Sequence, residues 1–473
     1  MKILKQHSMR YSGCDAGVYE LGWAQGEMLG YIRSRGPGNL VYVTKFGSLD
    51  GGSVSLEGVL EAIRMTCEAH EALRTRYLER DGRWLQEILG AGEISVTELS
   101  ATSARLDAAE VVALLGPLSP EPDEVPVRVA VVTFEGRPVH VYLAIHHASA
   151  DNMGAEIACQ EICRRSLGLT VLTSSAWQPH QIVEFEASPA GRALAERSAR
   201  HHCAIFRDLA DVDEPLTDRS VTPLREYQLT SPAVVVAAQQ IARRLNVSAL
   251  NVALAAYCAA LSAKVSKDRF PLALTSGNRF NPNLQMAVAK LAQSTGLSVD
   301  VGVSTFEEFC RQTGNSTLLA YRYGIYDPEL MKKSYDEMKA EHGKEVFFPY
   351  LVNWNLTTPI QGPGPELRGD ELRRIEAQLG IPREELRQLL DRGVCAAKNP
   401  EDGVRFTDLA LDIYEFSDRA DMRLRSDLRF FPDADLRCLL RSTERLLVDI
   451  ACGTEEIDMR HLLDTLCHDS HSS

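Results

Sequence analysis

Residues 125–145 read VPVRVAVVTF, then EGRP, then VHVYLAI. Two β-rich runs around a turn make a hairpin. The second run passes straight into His146 and His147, and after a short loop MGAEIACQEICRRSLG takes up the helical period. The dihistidine thus sits where a buried strand hands over to a helix. That position lets a histidine ring at the strand end face a cleft.

The rest of the chain mixes helices and strands in both halves, with no short-period repeat. Residues 54–76 carry apolar residues at helical spacing and end in basic ones. The stretch EFEASPAGRALAERSARHHCAIFRDL reads as one helix, and PAVVVAAQQIARRL with SALNVALAAYCAALSAKV as a strongly helical pair. The strand FPLALTS leads to Gly277-Asn278-Arg279, and the chain closes on a strand-like MRLRSDLRFF and a helix. With 473 residues and 45% hydrophobic content, the chain exceeds one ordinary core. A composition change near residue 175 divides it into an N-terminal lobe, 1–175, and a C-terminal lobe, 176–473. The second includes a charged, partly helical insertion at 361–404.

A net charge of −14 argues against a nucleic-acid partner, because an acidic surface repels phosphate backbones. No run approaches a membrane span, and MKILKQHSMRYSGCD lacks the apolar core of a signal peptide, so a cytoplasmic protein is expected. The eleven cysteines are odd in number and scattered, which does not suit a disulfide framework. Cys159 and Cys163 lie one helical turn apart, without a second pair at ligand spacing, and read as buried helix residues; no metal is expected. The Cys467-His468-Asp469-Ser470-His471 tail is expected to be disordered.

The segment His146-His147-Ala148-Ser149-Ala150-Asp151 holds the chemistry. It supplies a group that titrates near neutrality and a carboxylate to orient it, which suits proton removal from an attacking amine or hydroxyl. A dihistidine alone is weak, and the chain carries its own control. His201-His202 lies inside a predicted helix, with no preceding strand and no acid at the matching position, and reads as structural.

HHxxxD at a strand end resembles the active-site motif of the condensation-domain superfamily, relatives of chloramphenicol acetyltransferase. Other segments match in order. Trp23-Ala24-Gln25 resembles the N-terminal motif, and Ala69-His70-Glu71-Ala72-Leu73-Arg74-Thr75 resembles the family's RHExLRT helix end, with Gln86 following. VSALNVALAAYCAALSAKVSKDRFPLALTSGNR resembles the long helix, strand and Gly-x-Arg turn, and residues 422–451 the final strand and helix.

The resemblance implies two chloramphenicol-acetyltransferase-like α/β sandwich lobes meeting in a V as a pseudo-dimer, with the site between them. It implies a free-standing condensation enzyme acting in trans on an acyl or aminoacyl group held on a carrier protein's phosphopantetheine, with an amine or hydroxyl acceptor that is soluble or on a second carrier. No bound cofactor is implied. His147 would act as base or positioning group. His146, Asp151 and Arg279 would be structural members of the motif, the last two as an ion pair. Asn152, Gly154 and Trp354 are channel-lining candidates. The rival readings are an acyltransferase of the same superfamily using acyl-CoA and a catalytically silent recruitment domain.

Two departures stand out. Ala69 replaces an arginine, and Asn152 stands where the family has Gly, with Gly154 two residues later. Gly51-Gly52-Ser53 resembles a carrier attachment site but reads as a loop, and Gly362-Pro363-Gly364-Pro365 lacks the N–H groups a phosphate needs.

Overall fold

The expected hairpin forms in the computed structural model, from strands Val127–Phe134 and Arg137–His146. Its turn is tighter than EGRP suggested. Phe134 pairs with Arg137, so the loop is Glu135-Gly136, both at positive φ (51° and 75°). Positive φ at both central residues matches the right-handed twist of the flanking strands and costs Gly136 nothing.

The structure describes residues 1–13, 15–34, 42–49, 54–116, 125, 127–171, 175–207, 224–343, 346–356, 380–398, 407–453 and 456–471. Gly51-Gly52-Ser53, Gly362–Pro365 and the first part of the 361–404 insertion lie outside them. The described chain forms two compact units. The first takes Met1–Glu196 together with Gly277–Gln293 and Ile325–Glu329, and the second takes the remainder. The first unit thus continues past residue 175 and reclaims two stretches from the later part of the chain.

In the first unit, strands β1 (Lys2–Ser12), β3 (Tyr42–Ser48), β6 (Ala91–Ala101), β7 (Val127–Phe134) and β8 (Arg137–His146) form a sheet in the order β1-β6-β7-β8-β3. Strands β2 (Gly17–Glu20), β4 (Thr75–Arg80) and β5 (Arg83–Ile88) form a smaller sheet. The helices are α1 (Trp23–Ser34), α2 (Leu56–Ala69), α3 (Ala108–Leu115), α4 (Asn152–Ser166), α5 (Pro179–Ala187) and α6 (Pro189–Arg207), the last crossing into the second unit. Alternation on β7 and β8 sends Ala130, Val132, Tyr142 and Ala144 to one face, where Val111 of α3 meets them. The intervening Val141, Leu143 and Ile145 are also fully buried, so β8 is covered on both sides. Helices α2 and α4 pack together and onto β8. A side chain on Gly47 of β3 would strike Cys163 Sγ, so glycine sets the approach of α4. Each buried aliphatic side chain contributes roughly 1.5–3 kcal/mol.

Two helix boundaries differ from expectation. Helix α2 ends at Ala69 rather than running to residue 76; Glu71–Arg74 form a 3₁₀ turn and Thr75 begins β4. The predicted helix around residues 184–209 breaks at Ser188, where Pro189 excludes a helical residue before it and starts α6 instead.

In the second unit, strands β9 (Leu224–Ser231), β10 (Arg269–Ser276), β11 (Gln293–Asp300), β12 (Tyr350–Trp354), β13 (Val394–Lys398), β14 (Leu409–Phe416) and β15 (Ala420–Asp427) order as β11-β10-β12-β14-β15-β9-β13. Helices α7 (Pro232–Leu245) and α8 (Ala249–Val265) and the helix Asp433–Cys452 bury against it. Every residue from Val252 to Ser262 is buried, as its uniformly apolar sequence requires. Among the described residues no single helix is long and apolar enough to cross a membrane. The described part of the insertion holds a short helix, Arg383–Gln388, and the unexpected β13, which pairs with β9 at the sheet edge. The C-terminal tail is not irregular in backbone: a helix runs from Met459 to His471, anchored by buried Met459 and Leu462.

Candidate active site

Strand β8 ends at His146, and the chain turns at once: the N–H groups of Ser149 and Ala150 both donate to the His146 carbonyl. This turn separates the two rings. His146 is buried between Tyr42 and Tyr77, and its Nδ1 accepts the Ala148 N–H at 3.3 Å. His147 is half-buried, and its Nδ1 lies 3.1 Å from the Ala150 carbonyl oxygen. A carbonyl can only accept, so Nδ1 carries the proton and Nε2 keeps its lone pair. Burial, then the charge of Lys290, lowers the His147 pKa to about 4 against the opposing pull of the Ala150 carbonyl and Asp151. The ring is therefore a neutral hydrogen-bond acceptor at neutral pH.

Asp151 closes the loop. Its Oδ1 caps α4 by accepting the Gly154 N–H at 2.8 Å and takes Nη2 of Arg279 at 2.7 Å. Its Oδ2 accepts the N–H groups of Leu291 and Ala292, both at 2.9 Å, while its own N–H donates to Ala289 O. Burial pushes the carboxyl pKa up, but Arg279, Lys290 and the donated hydrogen bonds outweigh it and hold the group at about 2. Arg279 is fixed in turn, with Nη1 donating to the carbonyls of Leu284 and Ala287. Ala289–Ala292 thus form a strap bonded to both ends of the Asp151 residue. The ion pair joins distant parts of the sequence within one unit.

The strap carries a residue that the motif reading missed. Lys290 is 7% exposed, and its Nζ donates to the Ala292 carbonyl. It lies in the field of Asp151, Glu27 and Arg279. Glu27 of α1 accepts a hydrogen bond from the Tyr326 hydroxyl, and Gln293 is tied to the Tyr326 backbone through both its amide atoms. The signal was present in the sequence: Lys290 is the one charge in the apolar run Met286–Ala292.

This constellation of strand-end histidines, capping aspartate and arginine invites comparison with known families. The family model for the condensation domain matches residues 19–361. The chain belongs to the condensation-domain family. Bacitracin synthase 1 of Bacillus licheniformis is 21% identical over 368 residues, 75% of this chain but 7% of the synthase's length. Among solved structures, the condensation domain from the monacolin K polyketide synthase MokA superimposes with a TM-score of 0.68 at 14% identity, covering 97% of this chain and 100% of that one. The condensation domain that mediates chain release from the enacyloxin polyketide synthase gives 0.65 at 18% identity, covering 93% and 83%. These matches establish the condensation-domain fold, which is chloramphenicol-acetyltransferase-like.

The other motif positions of this condensation domain make contacts of their own. Gln25 and Gln86, 61 residues apart, hydrogen-bond at 3.2 Å, and both are buried. The helix end bearing Ala69 pairs its neighbours instead: His70 Nε2 with Glu161 at 2.9 Å and Glu71 with His180 Nδ1 at 2.6 Å. Gly154 is buried, and a Cβ there would stand 2.8 Å from the Ala289 carbonyl oxygen; Asn152 is half-buried at the first turn of α4. Trp354 belongs to β12 of the second unit, where it meets Phe416 edge-on. The control pair is structural in setting. His202 is buried in α6, bonded to the Tyr335 hydroxyl at 3.0 Å and facing the Thr295 hydroxyl at 3.3 Å, and His201 reaches the Gly296 carbonyl. Cys159 and Cys163 are free and buried, and no group of three metal-ligating side chains occurs among the described residues.

Proposed function

We propose that this protein transfers an acyl or aminoacyl group from a carrier protein's phosphopantetheine thioester to an amine or hydroxyl, in natural-product assembly of the nonribosomal type. The observation that carries the reading is the His147 ring, held by Nδ1 so that Nε2 is left as a neutral acceptor. An acceptor's N–H or O–H donates to Nε2, and its lone pair attacks the thioester carbonyl carbon. A C–N or C–O bond forms, the C–S bond breaks, and the phosphopantetheine thiol leaves with the proton the acceptor gave up. A ring with a pKa near 4 returns a proton readily. Its main service is therefore to orient the nucleophile and relay the proton, not to store it. The scheme needs no metal and no redox cofactor.

The supporting similarity is to carrier-based machinery, since the family model and the bacitracin synthase match both belong to it. The test is mass spectrometry of a loaded carrier protein incubated with candidate amines and alcohols, with the same acyl group offered on CoA. Product from the carrier thioester that requires His147 supports the reading. Equal efficiency from CoA would favour the soluble acyl-CoA enzyme, and binding of the carrier without transfer would favour a recruitment role.

A further inference from the structure

The form of the His147 ring depends on one atom, the Ala150 carbonyl oxygen 3.1 Å from Nδ1. Where that oxygen stands is decided by the residues on either side of it. Asp151 is fixed by Arg279 and the strap. Ser149 is fully buried; its N–H donates to the His146 carbonyl, and its hydroxyl lies 3.0 Å from the Tyr77 hydroxyl. Tyr77 comes from β4, where it pairs with Gln86, itself held by the Gln25 side chain and the Glu20 carbonyl. Its ring also tilts against His146, with centroids 5.8 Å apart, and packs on the cluster of Met28, Leu29 and Ala148. Tyr77 thus meets the loop both before and after His147.

We propose that Tyr77 is a positioning residue for His147: by bonding Ser149 it pins the Ala150 carbonyl, and through that carbonyl the Nδ1–H form of the ring. With the bond cut, the Ser149-Ala150 peptide gains room to turn. A turned carbonyl no longer selects the Nδ1 proton, and the ring gains access to the Nε2–H form, which offers the nucleophile a donor instead of a lone pair. Losing one of the two hydroxyls strands the other in a buried place, whereas losing both strands neither. Stability and positioning therefore respond differently to the same changes. The inference rests on His147 being the group that meets the nucleophile, but its first test requires no turnover.

The test is ¹⁵N NMR of ring-labelled histidine in the full chain at neutral pH, with the His147 signal assigned by its loss in His147→Ala. Tyr77→Phe, Ser149→Ala and the double variant are compared with the parent, each with urea unfolding and a single-turnover rate per folded molecule. The parent should carry its proton on Nδ1. All three variants should show a mixture of the two ring forms and transfer roughly 3–10-fold more slowly, as one lost hydrogen bond implies. The single variants should lose stability, and the double should recover part of it. A double variant that regains the parent's ring form and rate along with its stability overturns the proposal, because the bond then serves the fold alone. An unchanged ring form in Tyr77→Phe also overturns it, as does a parent protonated on Nε2. Should a single variant fail to fold, the double carries the comparison. Ring forms that shift as expected with no transfer in any sample would uphold the positioning and count against the transfer reaction alone.

Discussion

Arg279 reaches Asp151 at 2.7 Å across 128 residues of sequence, and each partner is also held by backbone: Asp151 by three N–H groups, Arg279 by two carbonyls. The pair therefore fastens four short segments at one point. Asp151→Ala and Arg279→Ala should each cost about 3–5 kcal/mol, because each leaves a buried charge without its counterpart. The double variant should cost less than the sum. Urea unfolding of the four proteins checks this, and strict additivity would show that the pair has no coupling energy.

The same carboxylate gives an acid limit to stability. Its folded pKa, about 2, lies below the ordinary 3.8, so its contribution is present above the ordinary value and is lost as pH falls from about 4 to about 2. The contribution is about 2 kcal/mol. Asp151→Asn should flatten this limb of the stability–pH curve, measured by chemical denaturation at each pH.

Glu186 gives the opposite sign. It lies buried on α5 and accepts the N–H of Trp23, the first residue of α1, at 2.9 Å; its carboxyl is pushed up to about 8 by burial, helped by the charge of Asp327. A raised carboxyl stabilises the fold while protonated, so stability falls as pH rises from about 4.5 through 8. Glu186→Gln should raise Tm above pH 7 and change it little at pH 5.

His147→Ala should lower single-turnover rates by about 10²–10⁴-fold while the protein stays folded. His202→Ala tests a different quantity. Its ring is buried against Tyr335 and Thr295, so its loss should cost roughly 1–3 kcal/mol of stability and leave the rate per folded molecule unchanged. A near-normal rate in His147→Ala would remove the assignment.

Gly154→Ala should cost about 1–3 kcal/mol and depress activity, because its Cβ would meet backbone atoms of Ala289 that cannot rotate away. Gly26→Ala in α1, where a Cβ meets nothing within 4 Å, should be neutral or stabilising by about 0.5–1 kcal/mol. Melting temperatures of the two variants make the comparison.

The loop from His146 to Asp151 was legible because a hairpin and a helix flank it with different periods, and Arg279 because its turn follows a recognisable strand. Lys290 was not, since an isolated charge in an apolar run carries no motif; only burial beside Asp151 gives it meaning. The early end of α2 was hidden because His70 and Glu71 fit a helical pattern, yet each is drawn to a partner about a hundred residues away. Strand β13 was hidden in a charged stretch, as an exposed edge strand allows.

The first unit is assembled from three separate stretches of chain, and this orders events at the ribosome. Asp151 is synthesised 128 residues before Arg279, an interval on the order of 10 s at common elongation rates. Until then the nascent α4 carries a capping carboxylate without its cation and without the strap. All five strands of the larger sheet of this unit have been synthesised by then, so the sequence of the scaffold precedes that of the site. The residues of the first unit are all present only when 325–329 have been synthesised, about 50 residues after Arg279.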